Sequence, residues 1–323
     1  MSRSLSKFLQ IALPLGLGIF LIWYIYQSFT PQQLEETKKY FTDANYGFVL
    51  LSMVLSVLSH ISRSYRWNFM LEPLGYKTKL ANNFMAISVA YLMNVFIPKS
   101  GEVSRGIILD KYEGVPFQKG FGTIISERVV DLVFLLFFTF LALAIKFDVL
   151  YNYMVESIPA SILYIGIFGI ILLGISIPLY IKFSKSNINK KLKNFIIGLK
   201  EGVFSIVKMK KKFPFLLHTC AIWGLYLLSF YAALYALPQT ANISFGTIII
   251  TFVVGSFTFA FTNSGFGTYP AAIAGILTVF GITKTVGTAF GWIVWISNIS
   301  SLVFFGVLSL VLLPIYNRKR IKL

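Results

Sequence analysis

The chain has 323 residues, of which 56% are hydrophobic and only 13% charged, with a net charge of +17. A water-soluble domain carries about 25% charged residues, so repeated apolar runs close to the roughly 20-residue spanning length exclude a soluble architecture and define one integral membrane domain over 1–323. The positive excess is gathered between apolar runs, which excludes a nucleic-acid partner and points to membrane borders.

In chain order, the first apolar run, 8–26, follows Arg3 and Lys7. It is too long for a signal-peptide core and lacks a small-residue cleavage site, so it is expected to remain as a helix. A second span covers 46–61 and leads into Arg63-Ser64-Tyr65-Arg66-Trp67. Two readings of Arg63 and Arg66 stand side by side. Arginine forks suit a phosphate, and cations beside aromatic rings also suit an ordinary cytoplasmic border. His60, at the end of this span, and His218, in a later one, are read as packed polar residues.

The next apolar stretch, 80–97, does not fit the simple spanning pattern. It ends in Pro98-Lys99-Ser100-Gly101-Glu102 and is followed by a short apolar return, 103–109. Broken backbone at membrane depth must be buried in protein or line a cavity. The stretch is therefore expected to form a re-entrant helical hairpin with Lys99, Gly101, Glu102 and Arg105 around its turn. Gly101 would permit a tight turn or let backbone amides approach a phosphate.

The span 120–145 carries Ser126-Glu127-Arg128-Val129-Val130-Asp131 at the head of an apolar run. A charge in hydrocarbon costs about 3 kcal/mol or more, so such groups face a protein interior or a wet cavity and pair there. On a helix starting near Gly120, Glu127 lies about 10 Å in and Asp131 about 16 Å in. Glu127 and Asp131 share a face, and Arg128 pairs with Asp131 one turn away. Two crowded acids call for a cation between them, with Arg128 or Arg105 as the candidates. The group either handles a substrate or pins helices through a buried ion network.

A further span, 161–183, leads to a connector at 182–212 with ten lysines against one acid, Glu201. Interleaved apolar residues make it a basic amphipathic segment on a membrane surface, serving as a topology signal or binding headgroups. The span 213–237 holds Cys220, the chain's one cysteine, which excludes an intrachain disulfide. A second interrupted stretch, 245–262, breaks at Asn263-Ser264-Gly265-Phe266-Gly267-Thr268-Tyr269-Pro270 and returns over 271–280, ahead of a last span, 289–314, and a basic tail.

The basic flanks, including the stretch from Arg63 to Lys79, are assigned to the cytoplasm with both termini, in the cell membrane. The first hairpin then enters from the cytoplasmic side and the second from the opposite side. Aligning Gly114-Val115 with Gly281-Ile282 sets Gly120 opposite Gly287 and Asp131 opposite Asn298, with Gly101 within one position of Gly267. This is the pattern of an inverted repeat with halves at 46–146 and 213–314 and a site near the midplane. The expected fold is an all-α polytopic membrane protein with about six full spans and two re-entrant hairpins.

Three blocks resemble the flippase-like membrane domain of lysylphosphatidylglycerol synthases: Arg63-Ser64-Tyr65-Arg66-Trp67, the run Asn94-Val95-Phe96-Ile97-Pro98-Lys99-Ser100-Gly101-Glu102-Val103-Ser104-Arg105, and Glu127-Arg128-Val129-Val130-Asp131-Leu132. The resemblance covers nearly the whole chain and implies a lipid flippase-type activity, with some relatives linked to glycolipid assembly. Two departures matter. No aminoacyl-transferring synthetase domain is seen, so lipid lysylation is not implied. The family's second loop resembles Pro-Gly-Gly-x-Gly-x-x-Glu, whereas here Pro270 stands at the acid position, and Tyr269 could supply a hydroxyl instead.

The residues and the resemblance together lead to a translocator of a phosphate-bearing lipid. Arg63, Arg66, Arg105 and Arg128 would hold the headgroup, and Glu102, Glu127 and Asp131 would hold the arginines or exchange protons. Asn94, Lys99, Gly101, Asn263, Gly265, Gly267 and Tyr269 complete the candidate site. No cofactor is expected; the partners are anionic or phosphate-bearing membrane lipids, with self-association or a lipid-synthesis enzyme also open. The alternatives are a membrane-embedded transferase acting on a lipid headgroup, for which only Glu127 and Asp131 offer acid–base groups, or a non-catalytic membrane scaffold.

Overall fold

A computed structural model describes residues 19–20, 22–24, 26–157, 204–262 and 264–318. The expected span 161–183, most of 8–26, the connector as far as 203, and Asn263 lie outside the described residues. Among the described residues the protein is helical without a strand. Helices reaching across Tyr46–Leu74, Phe117–Asp148, Lys212–Leu234 and Lys284–Tyr316 are long and apolar enough to span a bilayer. The chain is a polytopic all-α membrane protein.

Helix α1 (Pro31–Asp43) starts with a capping box, Thr30 and Gln33 each accepting from the other's backbone N–H, and with proline in the first turn. Helix α2 (Tyr46–Leu71) is capped by Asn45, whose own N–H donates to the Ala236 carbonyl at 2.8 Å. That bond sets the start of α2 level with the end of α6 (Lys212–Leu234). At the other face, Lys211 Nζ meets Glu72 Oε1 at 3.0 Å, so the end of α2 is level with the start of α6. The two helices pack antiparallel along their length.

The expectation that Arg63 to Lys79 forms a cytoplasmic loop is corrected here. Arg63 and Arg66 lie inside α2, are buried, and contribute nothing to a surface charge signal. The helix runs past 61 because carboxylates from another helix meet both guanidiniums, which removes the cost of continuing through charged residues.

The two interrupted stretches are helical hairpins. The first pairs α3 (Leu80–Phe96) with α4 (Ser100–Glu113), and the second pairs α7 (Phe245–Phe261) with α8 (Thr268–Val279). Each return is longer than the expected 103–109 and 271–280 at its charged or polar end. In the first hairpin Gly101 sits against α3: a Cβ there would stand 2.1 Å from the Ala90 carbonyl oxygen and 2.7 Å from the Asn94 side chain. Gly101→Ala is therefore expected to force α3 and α4 apart and to cost about 1–3 kcal/mol as overpacking does. A thermal unfolding midpoint in detergent that matched the wild type would contradict this close approach.

Each hairpin closes on a left-handed glycine, Gly114 (φ 69°) or Gly281 (φ 84°), and then turns into a long helix, α5 (Phe117–Ser157) or α9 (Lys284–Tyr316). Only glycine takes this C-terminal conformation without strain. The packing is reciprocal. The first hairpin lies against α9 and the second against α5, while each hairpin's return helix also packs on the long helix that follows it. Asn82 and Asn317 exchange side-chain hydrogen bonds of 2.9 and 2.8 Å where α3 begins and α9 ends. The core sits where α2, α6, α7, α8 and α9 converge, around Trp223, Phe230, Phe252 and Phe290.

Candidate functional site

Helix α5 brings Glu127 and Asp131 to one face at i,i+4 spacing. Because α5 begins at Phe117, Glu127 lies about 15 Å and Asp131 about 21 Å along it, at about 1.5 Å per residue. Both thus lie further along the helix than a start near Gly120 places them.

Two arginines one turn apart on α2 reach the same carboxylates. Arg63 donates to Glu127 Oε1 at 2.5 Å and to Asp131 Oδ2 at 2.6 Å. Arg66 donates to Asp131 Oδ1 at 3.0 Å and to Thr219 Oγ1 of α6 at 3.1 Å, and lies 3.3 Å from Glu127. From α4, Arg105 donates to Glu127 Oε2 at 2.7 Å, its guanidinium lying 3.6 Å from the centre of the Trp67 ring. Trp67 is fixed in turn by its indole N–H, which donates to Thr123 Oγ1 at 2.8 Å. The network thus ties α2, α4, α5 and α6 together. Charge-assisted bonds of this kind are the strong class of hydrogen bond, and they offset the desolvation of the ions.

Arg128 stands apart from this closed set. Its side chain is 43% exposed, and its nearest carboxylate oxygens are 3.7 Å away on Glu127 and 3.8 Å away on Asp131. Four guanidiniums therefore face two carboxylates, and two positive charges are left over.

A cavity of about 450 Å³ opens beside the network. One wall is polar: Arg63, Arg128, Asp131, Asn94, Lys99 and Glu102. The other is apolar and aromatic, formed chiefly by Trp223, Phe230, Phe252, Phe259, Leu135 and Val294. Both hairpins contribute, and their tips touch. Lys99 Nζ donates to the Ala260 carbonyl at 2.8 Å and Ser264 Oγ to the Asn94 carbonyl at 3.2 Å. Each tip thereby satisfies a last-turn carbonyl of the other hairpin, a group a helix end leaves without an intrahelical partner. Lys99 (φ 61°) and Ser264 (φ 53°) are also the non-glycine residues with left-handed backbone among the described residues. Such strain, of order 1–3 kcal/mol, persists only where the surroundings enforce it.

The structure brings most of the expected residues together. Arg63, Asn94, Lys99, Glu102, Arg128, Asp131 and Tyr269 line the cavity. Arg66, Arg105 and Glu127 lie behind its wall and hold Arg63 and Asp131 in place. Gly101 and Asn94 build the first turn, the Gly101 N–H donating to Asn94 Oδ1 at 2.8 Å. Gly265 and Gly267 take positive φ in the second turn and do not line the cavity. His60, read as merely packed, also lines it, its ring 4.7 Å from Tyr91 and 6.0 Å from Tyr226. Sequence reasoning missed Tyr91, Trp223 and Tyr226. It used Asn298 only to align the halves, yet Asn298 faces the cavity and accepts from Ser56 at 3.5 Å.

With this geometry in view, comparison with known proteins adds a family. The family described as the lysylphosphatidylglycerol synthase TM region matches residues 11–306. A UPF0104 membrane protein of Methanocaldococcus jannaschii is 32% identical over 109 residues, 33% of this chain and 32% of its own length, so the aligned part spans about a third of that relative. A UPF0104 membrane protein of Pyrococcus horikoshii is 24% identical over 252 residues, 70% of this chain and 73% of its own. The glycosyltransferase AglD of Haloferax volcanii is 29% identical over 92 residues, 28% of this chain and 15% of its own. No solved structure matches.

Proposed function

Because the chain belongs to the family of the lysylphosphatidylglycerol synthase TM region, we propose that it moves a phosphate-bearing lipid between membrane leaflets. The observation that carries this reading is a cavity with an arginine-bearing wall facing an aromatic and aliphatic one. A lipid headgroup and its first hydrocarbon segment need both surfaces at once. A membrane function related to lipids also agrees with the relatives found.

In this proposal the two hairpin-bearing halves, 46–146 and 213–314, form an inverted repeat, with the first hairpin re-entering from the cytoplasm and the second from the outer side of the cell membrane. Reciprocal packing supports it: α2 with α6, α3 on α9 against α7 on α5, and a left-handed glycine at the end of each hairpin. Lys77, Lys79, Lys111 and Lys210 lie on the face that would be cytoplasmic, along with the start of the basic tail at Arg318. Transport would follow from rocking of one half against the other. The geometry favours the holding role for Glu127 and Asp131 over acid–base work, since each carboxylate is engaged by at least two arginines. That weakens the transferase alternative. A scaffold, for its part, has no need of a mixed-polarity cavity.

The test is leaflet exchange of labelled anionic, zwitterionic and glycosylated lipids in proteoliposomes. Ser256 lines the cavity, and Ser256→Trp would fill much of it without touching the ion network. Wild-type exchange that falls at least about tenfold in this variant is the expected result, by loss of productive binding. Equal exchange by both proteins, or none by folded wild type, would overturn the proposal.

A further inference from the structure

We propose that the charged wall takes a phosphate monoester with two negative charges, carried on a hydrocarbon chain. The inference rests on the translocator reading and narrows its substrate class.

The argument begins with charge. Arg63, Arg66, Arg105 and Arg128 surround Glu127 and Asp131, leaving two positive charges in excess. The other cavity-lining ions, Lys99 and Glu102, cancel one another. A lysine or histidine in this position could shed its proton, but a guanidinium cannot. The excess is therefore fixed, and in a low-dielectric interior an uncompensated charge is costly. A dianion removes it completely, a phosphodiester removes half, and a zwitterion removes none.

Free donors point the same way. Arg128 forms no hydrogen bond among the described residues and keeps only the two long ion contacts. Arg63 lines the cavity and meets both carboxylates through Nη1 alone. A terminal phosphate offers three oxygens to these forks, and bidentate arginine–phosphate pairs are a strong form of recognition. A phosphodiester offers only two unesterified oxygens.

The opposite wall separates a lipid from free phosphate, which shares the same headgroup chemistry. Trp223, Phe230, Phe252 and Val294 would leave an inorganic ion facing apolar surface with half its hydration gone. A hydrocarbon chain gains from that surface. Leu132 and Phe261 line the cavity and are exposed, giving the hydrocarbon chain an apolar surface to follow out of it.

The experiment measures binding by titration calorimetry in detergent at about pH 8, where a phosphate monoester is almost fully dianionic. The probes are dioctanoyl phosphatidic acid, dioctanoyl phosphatidylglycerol with the same chains, and inorganic phosphate. The wild type is expected to bind the monoester lipid about tenfold or more tightly than the diester, as one additional close charge pair allows. Inorganic phosphate is expected to bind at least about a hundredfold more weakly than the monoester lipid, for lack of the apolar contact. Arg128→Gln should erase the preference between the two lipids, and Arg128→Lys should keep it. Arg128 is half-exposed, so neither change threatens folding. Equal affinity for both lipids, or a preference that survives Arg128→Gln, would overturn the dianion assignment. Inorganic phosphate binding as tightly as the monoester lipid would overturn the hydrocarbon part. Efficient exchange of lipids in proteoliposomes without a monoester preference would refute this inference alone. A monoester preference without any exchange would refute the translocator reading and leave the site standing.

Discussion

Glu127→Gln is expected to abolish lipid exchange and to destabilise the folded protein by about 3–5 kcal/mol, the usual cost of removing one partner from a buried ion pair. The Glu127 carboxylate lies within ion-pair distance of three buried guanidiniums, at 2.5 Å from Arg63, 2.7 Å from Arg105 and 3.3 Å from Arg66. Glutamine preserves the size of the side chain but replaces one acceptor oxygen with a donor and raises the local excess charge by one. Arg63 then loses one of the two carboxylates that hold it at the cavity wall, leaving Asp131, so headgroup binding fails along with packing. Insertion should survive, because the apolar run after Asp131 and the length of α5 are unchanged. Two measurements check this: exchange in proteoliposomes and unfolding in detergent, with Glu102→Gln as the contrast. Glu102 is half-buried and its hydrogen bond is a 3.4 Å contact from Asn94, so its neutralisation is expected to cost no more than about 1 kcal/mol. Full exchange by Glu127→Gln at wild-type stability would remove the network from the mechanism.

The same residues show what a sequence can and cannot say about such a site. Glu127 and Asp131 were legible because charge inside an apolar run stands out against its surroundings. The break at Pro98 to Glu102 was legible because proline and glycine interrupt a helix. Gly114 and Gly281, set opposite each other in the sequence alignment of the halves, both cap a hairpin in the left-handed conformation. Arg63 and Arg66 were ambiguous. Arginine after an apolar run looks the same whether it faces the cytoplasm or a carboxylate from a distant helix, and only the pairing across to α5 distinguishes the two. Tyr91, Trp223 and Tyr226 were hidden for the opposite reason. In a chain with 17% aromatic residues, an aromatic ring on a membrane helix gives no contrast, whether it faces lipid, core or cavity.

In the proposed inverted repeat the two halves differ in chemistry. Where the first half places Arg63, Glu127 and Arg128, the alignment that pairs Gly114 with Gly281 sets Phe230, Val294 and Trp295 in the second. Of these, Phe230 and Val294 belong to the apolar wall. Under that proposal one half would supply the headgroup surface and the other the hydrocarbon surface.

That division makes the contact between the hairpin tips the place where motion can be arrested. Lys99 and Ser264 each hold left-handed backbone while their side chains reach a carbonyl of the opposite hairpin. Lys99 to Ala260 and Ser264 to Asn94 are hydrogen bonds from tip to tip among the described residues, and each such bond contributes about 1 kcal/mol net. Any rocking of the second hairpin away from the first has to break both. Covalently joining the tips is therefore expected to stop exchange, lowering the rate by at least about tenfold and leaving the fold intact. The variant carries Lys99→Cys and Ala260→Cys, with exposed Cys220 replaced by serine. A short, reducible bifunctional thiol reagent is preferred to a direct disulfide, because the lysine arm need not leave the Cα atoms within the limit of about 7 Å that a disulfide requires. Exchange should return when the link is reduced, and each single-cysteine control should be unaffected by the reagent. Undiminished exchange by a fully cross-linked protein would mean that the tips stay together throughout the cycle and that the lipid passes by another movement of the helices.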